Sequence, residues 1–240
     1  HPLSTHIITS PLQPCYHSVT SAALHQCKLN TPSERSLFYL TTQRQSSTSV
    51  IMAAMASSSD AAEAASGMET ITLAAGCFWC VEAVYQRVVG VSSVESGYMG
   101  GSVNNPSYGQ ICTGSTGHAE AIQLQYDPTK VSATELLEIF FKMHDPTTKN
   151  RQGADVGTQY RSAIFCHSEE QKRAANEVIA AVQTKFARPI VTEVADASEW
   201  YPADKGHQDY YRRNKSNNPY CKLVIHPKLS KVRNEAFTLP

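Results

Sequence analysis

The sequence predicts an α/β fold, a two-layer sandwich in which a mixed β-sheet carries flanking helices. From residue 69 onward, strand-like and helix-like patterns alternate in the order β-α-β-β-α-β-α-β, and such alternation is typical of layered α/β domains. Two strand-like segments follow each other directly after the first helix, in the manner of antiparallel neighbours. Because such a pair occurs beside helix-connected strands, we expect the sheet to be mixed.

Hydrophobic periodicity defines the elements of the first half. Thr70–Ala75 is a short apolar run that predicts a buried strand, and Phe78–Val89 has a helical pattern that ends at Gly90. Val91–Tyr98 alternates well enough for a second strand. Ala119–Tyr126 alternates as a half-buried strand does, so we predict a third strand there.

Capping signals define the helices of the second half. Ser132-Ala133-Thr134-Glu135 is a capping box for a helix to about Met143, and Ser168-Glu169-Glu170-Gln171 is a second box for a helix to about Phe186. The remaining predicted elements are strands over Tyr160–Cys166 and Ile190–Val194, a short helix over Gly206–Arg213, and a basic, mostly irregular C-terminal tail over 219–240.

The composition of the whole chain excludes several classes of protein. The 21 Lys and Arg residues balance the 21 Asp and Glu residues, which gives no argument for nucleic acid or an anionic membrane as a partner. No window has the roughly 20 consecutive apolar residues that a membrane span needs. The seven cysteines are odd in number and scattered, which argues against a disulfide-stapled secreted framework and favours a few functional thiols.

Composition also divides the chain near residue 65. Residues 1–65 are rich in Ser, Thr, Gln and Ala and lack sustained periodicity, so they cannot bury enough apolar surface to offset their ordering entropy. We expect a disordered leader there, which is either transit-like or untranslated, since Met52 and Met55 open a plausible shorter start. A catalytic domain over 66–228 and a basic tail over 229–240 follow. The expected compartment is therefore the cytoplasm or the plastid.

The run Gly76-Cys77-Phe78-Trp79-Cys80-Val81-Glu82 joins the first strand to the first helix and indicates redox chemistry. A thiol at a helix N-terminus meets unpaired N–H groups and the positive end of the helix dipole. We therefore expect Cys77 to have a lowered pKa and to be partly thiolate near neutral pH. The two aromatic side chains that follow it can enclose a small apolar pocket.

The second thiol of this run, Cys80, has three interpretations. Buried cysteines are often simple core residues. A Cys-x-x-Cys pair at a strand-to-helix junction is also the geometry of dithiol exchange. A zinc site would need two further ligands, and neither Cys112, Cys166 nor the histidines form a second close pair. We therefore expect no bound metal.

Two long loops, over residues 99–118 and 144–159, carry further candidates, since loops of this length and composition rarely serve structure alone. Glu120 begins the strand after the first loop. If it is desolvated, its carboxyl group has a raised pKa and can act as a general acid, although an exposed glutamate at a strand edge fits the spacing equally well. Asp155 and Tyr160 precede a strand, and a phenol can donate to an oxygen that gains charge. From the residues alone, a turn aspartate and a packing tyrosine are favoured there.

Five pieces in a fixed order carry a more specific signal. They are Gly76-Cys77-Phe78-Trp79, Gly97-Tyr98 with Gly100-Gly101, Asn105-Pro106-Ser107-Tyr108, Thr116-Gly117-His118-Ala119-Glu120, and Gly157-Thr158-Gln159-Tyr160-Arg161-Ser162. Together they resemble the peptide methionine sulfoxide reductase A family, over about residues 69–228. The N-terminal segment has no counterpart in this resemblance.

The resemblance implies an enzyme that reduces the S epimer of methionine sulfoxide, free or in oxidised proteins, and so repairs proteins after oxidative stress. It also implies a role for each matching residue. Cys77 is the nucleophile, Glu120 the proton donor, Tyr108 and Tyr160 the hydrogen-bond donors to the sulfoxide oxygen, Phe78 and Trp79 the pocket for its methyl group, and Asp155 a residue that orients the substrate.

The resemblance further implies recycling of a Cys77 sulfenic acid. A second thiol condenses with it to a disulfide, which thioredoxin, or glutaredoxin with glutathione, then reduces without a bound cofactor. Here the chain departs from the commonest pattern, because Cys80 replaces a glycine and the tail has only Cys221. Residues three apart in a first helical turn are within disulfide reach, roughly 5–6 Å between Cα atoms, so we favour Cys80 slightly over Cys221. A one-cysteine cycle stays open, and we expect a monomer.

Two functions of other classes remain to be weighed. One is a thioredoxin-like dithiol–disulfide oxidoreductase that uses Cys77 and Cys80, which leaves Glu120 and Tyr108 unexplained. The other is a binding module for oxidised methionine in which Cys77 is structural. Such a module would bind methionine sulfoxide without forming product.

Overall fold

The computed structural model describes residues 67–234 of the chain. The strands are β1 (Glu69–Ala75), β2 (Val91–Met99), β3 (Ala119–Tyr126), β4 (Arg151–Gln152), β5 (Asp155–Val156), β6 (Ser162–Cys166), β7 (Glu193–Asp196) and β8 (Tyr201–Pro202). The α-helices are α1 (Phe78–Tyr85), α2 (Tyr108–Cys112), α3 (Ala133–Met143), α4 (Glu169–Val182), α5 (Tyr210–Asn214) and α6 (His226–Asn234). Short 3₁₀ helices span Thr158–Tyr160 and Gln183–Lys185, and a π-helical segment over Cys221–Ile225 leads into α6.

Six of the strands form one mixed sheet in the order β7-β6-β1-β3-β2-β8, and β4 pairs with β5 in a separate hairpin. Strands β6 and β7 are parallel, and the other neighbours in the sheet are antiparallel. Helices pack against this sheet and long loops connect its strands. The predicted α/β fold with a mixed sheet is therefore confirmed.

The centre of the sheet and the first helix form the core that supports the site. Strand β1 lies between β3 and β6, and its residues from Ile71 onward are buried, as expected for a continuous apolar run. All residues of α1 are buried, because α1 packs on β1, β2 and β3 and is covered by α5 and α6. The junction between β1 and α1 is thus buried between the sheet and the C-terminal helices.

The two predicted capping boxes have different outcomes. Strand β3 and helix α3 have the predicted bounds, and at α3 the Ser132 hydroxyl accepts from the Glu135 N–H while the Glu135 carboxylate accepts from the Ser132 N–H. At α4 only half of the box forms. The Ser168 hydroxyl accepts from the Gln171 N–H, but the Gln171 side chain accepts from the His167 N–H at 2.8 Å instead.

Several predicted elements shift by a few residues for local reasons. Helices α1 and α4 end earlier than predicted because the chain tightens into i→i−3 turns, such as the Val88 N–H to the Tyr85 carbonyl at 3.1 Å. Strand β7 begins at Glu193, since the N–H groups of Ile190 and Val191 bond to Gln183 and Pro146 instead of to β6. Helix α5 lies over the C-terminal part of the predicted short helix, and α2, β4, β5 and β8 are elements that the sequence did not indicate.

The C-terminal tail differs most from the prediction. It is helical over Cys221–Asn234 rather than irregular, and α6 continues across residue 229, where the sequence predicts the start of a separate basic tail. Cys221, Ile225 and Val232 are buried in the same core as α1. Most of the stability of such a helix comes from the tertiary burial of one of its faces and not from its local sequence. The basic composition of this segment therefore did not reveal its helices. The predicted leader, residues 1–65, lies outside the described residues.

Candidate active site

The first candidate residue, Cys77, lies at the junction between β1 and α1, where it is the N-cap of α1 and only 2% exposed. Gly76 makes this junction possible. Its φ is +84°, and a Cβ there would lie 2.6 Å from the Gln152 side chain, so a larger residue would be both strained and obstructed. The backbone at Gly76 therefore places Cys77 in the interior of the protein and not at its surface.

The Cys77 thiol does not have the pKa that the sequence predicted. Burial raises its pKa well above the ordinary value, and a hydrogen bond with Cys80 and the nearby Glu120 add to this effect. The dipole of a short helix does not offset the loss of solvent. The expectation of a lowered pKa at Cys77 is therefore not met in the free site.

The lowered pKa belongs to Cys80 instead. Its hydrogen bond with Cys77 is the main cause, the Lys228 ammonium of α6 contributes against the opposing effect of burial, and the pKa of Cys80 falls to about 7. The hydroxyl of Tyr220 lies 3.9 Å from the Cys80 sulfur. The two thiols thus form a pair whose negative charge is favoured on Cys80, the member whose pKa the Lys228 cation lowers.

Glu120 lies on β3 and is 1% exposed. Its carboxylate oxygen Oε2 accepts from the Phe78 N–H at 3.2 Å, which ties it to the N-terminus of α1. Burial raises its pKa to about 8, although the Phe78 hydrogen bond opposes this change. The carboxyl group is therefore protonated near neutral pH, as we expected for a desolvated general acid.

The two aromatic residues after Cys77 lie in an aromatic cluster. The Phe78 and Trp79 rings have centroids 6.1 Å apart, and Tyr210 stacks on Trp79 at 3.7 Å. His207 contacts both Trp79 and Tyr108, with centroid distances of 5.6 Å and 4.3 Å. These rings provide the apolar surroundings that the sequence assigned to Phe78 and Trp79 alone.

His207 and Tyr210 are site residues that sequence reasoning missed. The indole Nε1 of Trp79 donates to His207 Nδ1 at 3.2 Å, and burial lowers the pKa of His207, which keeps this nitrogen an acceptor. The buried Glu82 carboxylate accepts from the N–H groups of Asp209 and Tyr210 at 2.8 and 3.1 Å. The many aromatic and polar residues over 199–218 could have indicated a functional segment, but the sequence around them does not show that they contact Trp79.

Tyr108 and Tyr160 arrive from two different loops. Tyr108 is the first residue of α2, whose N-cap Ser107 forms a reciprocal capping box with Gln110. Tyr160 ends a 3₁₀ helix and is 1% exposed. Burial raises the pKa of both phenols, and the charges of Glu120 and Cys77 raise it further, so both hydroxyls stay protonated and can donate.

Asp155 and Cys221 complete the predicted set. Asp155 lies on β5 at 9% exposure, and burial raises the pKa of its carboxyl group while Lys228 opposes this. Cys221 is fully buried beneath α1, and burial and the charge of Cys80 raise the pKa of its thiol. Within residues 67–234, Cys77, Cys80, Cys166 and Cys221 are free thiols and Cys112 is disulfide-bonded.

Residues 67–234 contain neither a cluster of metal-ligating side chains nor a membrane-spanning helix. Among residues 67–234 there is no group of three or more His, Cys, Asp or Glu side chains that could hold a metal ion. In the same part of the chain, no helix is both long and apolar enough to cross a membrane.

The site combines a buried thiol pair, a neutral carboxylic acid, two phenols and an aromatic cluster, and the family comparison agrees with it. A family model described as peptide methionine sulfoxide reductase matches residues 69–239. The chain belongs to this family. The resemblance, the fold and the oxidoreductase class predicted from the sequence are thereby confirmed.

Individual proteins and solved structures are also similar to this chain. The enzyme MsrA of Trichodesmium erythraeum is 54% identical over 168 residues, which cover 69% of this chain and 94% of that protein. Methionine sulfoxide reductase A of Corynebacterium diphtheriae is 38% identical with a TM-score of 0.60 over 62% of this chain and 76% of that one. Reduced Mxr1 of Saccharomyces cerevisiae is 34% identical with a TM-score of 0.60 over 63% and 88% of the two chains.

Proposed function

We propose that this chain reduces the S epimer of methionine sulfoxide, free and in oxidised proteins, to methionine, and that it thereby repairs proteins. The observation that carries the proposal is the protonated Glu120 carboxyl group, buried beside the Cys77 thiol and bonded to the Phe78 N–H at 3.2 Å. A sulfoxide oxygen leaves poorly until it is protonated, so a thiol nucleophile needs an acid of this kind.

In the first half-reaction, Cys77 acts as nucleophile and Glu120 as general acid. The Cys77 sulfur attacks the sulfoxide sulfur and forms a sulfur–sulfur bond, while Glu120 protonates the sulfoxide oxygen and the sulfur–oxygen bond breaks. The released hydroxide then adds to the Cys77 sulfur, the sulfur–sulfur bond breaks, and methionine leaves with that electron pair. The sulfoxide sulfur has gained two electrons and the Cys77 sulfur has lost two, so the products are methionine and a Cys77 sulfenic acid. The Cys77 proton has an acceptor in Cys80, with which it shares a hydrogen bond.

The remaining site residues bind and orient the substrate in this proposal. Tyr108 and Tyr160 donate to the sulfoxide oxygen as it gains charge, and burial keeps both phenols protonated. Phe78 and Trp79 surround the methyl group. Asp155, at the edge of the site, orients the rest of the substrate.

In the second half-reaction, Cys80 resolves the sulfenic acid. The Cys80 thiolate attacks the Cys77 sulfur, the oxygen leaves as water after protonation, and a Cys77–Cys80 disulfide forms. The lowered pKa of Cys80 supports this assignment. Cys221 is the second candidate, but it is fully buried and burial raises the pKa of its thiol.

Thioredoxin, or glutaredoxin with glutathione, then reduces the disulfide by thiol–disulfide exchange. We propose these external thiols as reductants, with no bound cofactor and with a monomer as the acting species. The proposed compartment is the cytoplasm or the plastid.

Two other functions are less well supported. A thioredoxin-like dithiol oxidoreductase would use Cys77 and Cys80 but would have no task for the neutral Glu120 or for the Tyr108 and Tyr160 phenols. A binding module for oxidised methionine would have no task for a buried thiol pair in which the pKa of Cys80 is lowered. Membership of the peptide methionine sulfoxide reductase family favours neither.

The test is epimer-resolved reduction of a methionine sulfoxide peptide with dithiothreitol. We expect methionine from the S epimer only, and none from the Cys77→Ser variant. Cys166→Ser is the matched control, because Cys166 is a free buried thiol on β6 outside the site, and it should retain wild-type activity. Methionine formed by Cys77→Ser, or none formed by the wild type from either epimer, would refute the proposal.

A further inference from the structure

Tyr98 carries a buried hydroxyl group that the proposed reaction has not used. The residue lies on β2 and is 2% exposed. Its hydroxyl is buried and has no hydrogen-bond partner among the described residues. A buried polar group without a partner costs stability, and native proteins retain few of them without a functional reason.

The register of the sheet places Tyr98 beside Glu120. The two residues are directly opposite each other on the antiparallel strands β2 and β3, so their side chains leave the same face of the sheet about 5 Å apart at Cβ. The Tyr98 ring also contacts the Phe78 ring, with centroids 5.8 Å apart. The phenol therefore belongs to the wall of the site, next to the proton donor.

The charge on Glu120 changes during the reaction, and its hydrogen bonds must change with it. In the resting site the carboxyl group is neutral, so one N–H from Phe78 is a sufficient partner. Once Glu120 has given its proton away, a buried carboxylate remains, and such a group needs more than one donor. Interactions that form only as charge develops are the ones that accelerate a chemical step.

We propose that Tyr98 is a positioning residue whose hydroxyl, unpartnered at rest beside Glu120, donates a hydrogen bond to the Glu120 carboxylate once that acid has transferred its proton. The proposal rests on the proposed function. No bond of Tyr98 breaks, since it remains a phenol throughout. Burial and the charge of Glu120 raise its pKa, so it is protonated and can donate at every working pH.

The test is the Tyr98→Phe variant, with Tyr85→Phe as the matched control. Tyr85 is also a buried tyrosine, but its hydroxyl donates to the Leu136 carbonyl at 2.8 Å, outside the site. For both variants we would measure thermal stability, the pH dependence of single-turnover methionine formation, and the pKa of Glu120 by carbon-13 NMR of labelled glutamate carboxyl groups. The Glu120→Gln variant identifies the Glu120 resonance and separates it from Glu82, whose pKa burial also raises, to about 7.

The NMR titration is needed because other titratable groups face Glu120 and Tyr98. They are Cys77 at the N-cap of α1, Cys80 on α1, Tyr108 on α2, Asp155 on β5, Tyr160 in the 3₁₀ helix, and Asp204 after β8. A pH–rate profile alone would report all of them together, whereas the carboxyl resonance reports Glu120 alone.

The expected results separate the two phenols. Tyr98→Phe should keep or raise the melting temperature, slow single-turnover reduction by about tenfold or more, and raise the pKa of Glu120, because its carboxylate has lost a donor. Tyr85→Phe should lower the melting temperature and leave the rate and the Glu120 pKa unchanged. A Tyr98→Phe variant with an unchanged Glu120 pKa would overturn the proposal, whatever its rate. An inactive wild type would refute the proposed function, while the NMR comparison would still decide the role of Tyr98.

Discussion

Tyr210 lies flat against the Trp79 indole, with ring centroids 3.7 Å apart and planes 5° from parallel. The two residues come from α5 and α1, and Glu82 of α1 accepts the Tyr210 N–H that fixes this position. Helix α5, which follows α1 by more than a hundred residues in the chain, therefore supports the aromatic surface near Cys77.

This stacking leads to a prediction about substrate binding. Tyr210→Ala should raise KM for a methionine sulfoxide peptide about three- to tenfold, since an aromatic pair contributes about 0.5–1.5 kcal/mol beyond its buried area. The single-turnover rate at saturating peptide should change little. Steady-state kinetics beside Tyr126→Phe, a tyrosine on β3 that bonds Glu69 away from the site, provides the comparison, and an unchanged KM would contradict the prediction.

The pKa of Glu120 predicts the pH dependence of the first half-reaction. Burial raises this pKa to about 8, so the acid form is present below that pH and is lost above it. Single-turnover methionine formation should therefore fall as pH rises through about 8. In Glu120→Gln the rate should be lower by on the order of 10²–10⁴-fold and should lack this alkaline decrease. A wild-type rate that rises steadily to pH 10 would show that Glu120 is not the acid.

The same carboxyl group predicts that the stability of the protein, like its rate, decreases as pH rises. Its pKa is raised from an ordinary value of 4.5 to about 8 in the folded protein. The unfolded chain thus ionises first, and the stabilising contribution of Glu120, full below pH 4.5, declines as pH rises toward 8. Glu120→Gln should raise the melting temperature more at pH 8 than at pH 5. Equal shifts in calorimetric scans at the two pH values would contradict this.

The two candidate resolving thiols can be separated by substitution. Cys80→Ser should still form about one methionine per enzyme, because Cys77 is intact, but should turn over slowly with thioredoxin as reductant. Cys221→Ser should retain turnover with thioredoxin, since its buried thiol has a raised pKa. Product counts per enzyme and mass spectrometry of the Cys77–Cys80 disulfide would check both statements. The reverse pattern would identify Cys221 as the resolving residue.

Lys228 provides a test of how the Cys80 thiolate is stabilised. Its ammonium is half-buried on α6 and lowers the pKa of Cys80, whose value is about 7. Lys228→Met should raise that pKa and slow disulfide formation severalfold, with methionine formation less affected. Thiolate absorbance titrations, with Cys80→Ser to identify the signal, would measure the change. Lys231→Met, an exposed lysine on the same helix, should leave the titration unchanged.

The success of the sequence predictions depended on how local each signal was. The bounds of β3 and α3 follow from alternation and from the Ser132–Glu135 capping box, which involve neighbouring residues and are as predicted. The tail was misjudged because the burial of Ile225 and Val232 against α1 stabilises its helices, and a basic composition does not reveal that contact. The end of α4 and the start of β7 shifted for the same reason, since distant partners determine which N–H groups are satisfied.

For the site, the sequence alone determined which groups are present: a thiol after a buried strand, a second thiol one turn later, and the ordered pieces that carry Glu120, Tyr108 and Tyr160. Only the tertiary structure decided their chemical state. Burial, which is a property of the assembled sheet and helices, raises the pKa of Cys77 instead of lowering it and makes Glu120 an acid at neutral pH. The tertiary structure also brings His207 and Tyr210 to Trp79 and Lys228 to Cys80. Desolvation and through-space charge depend on distances that sequence separation does not encode.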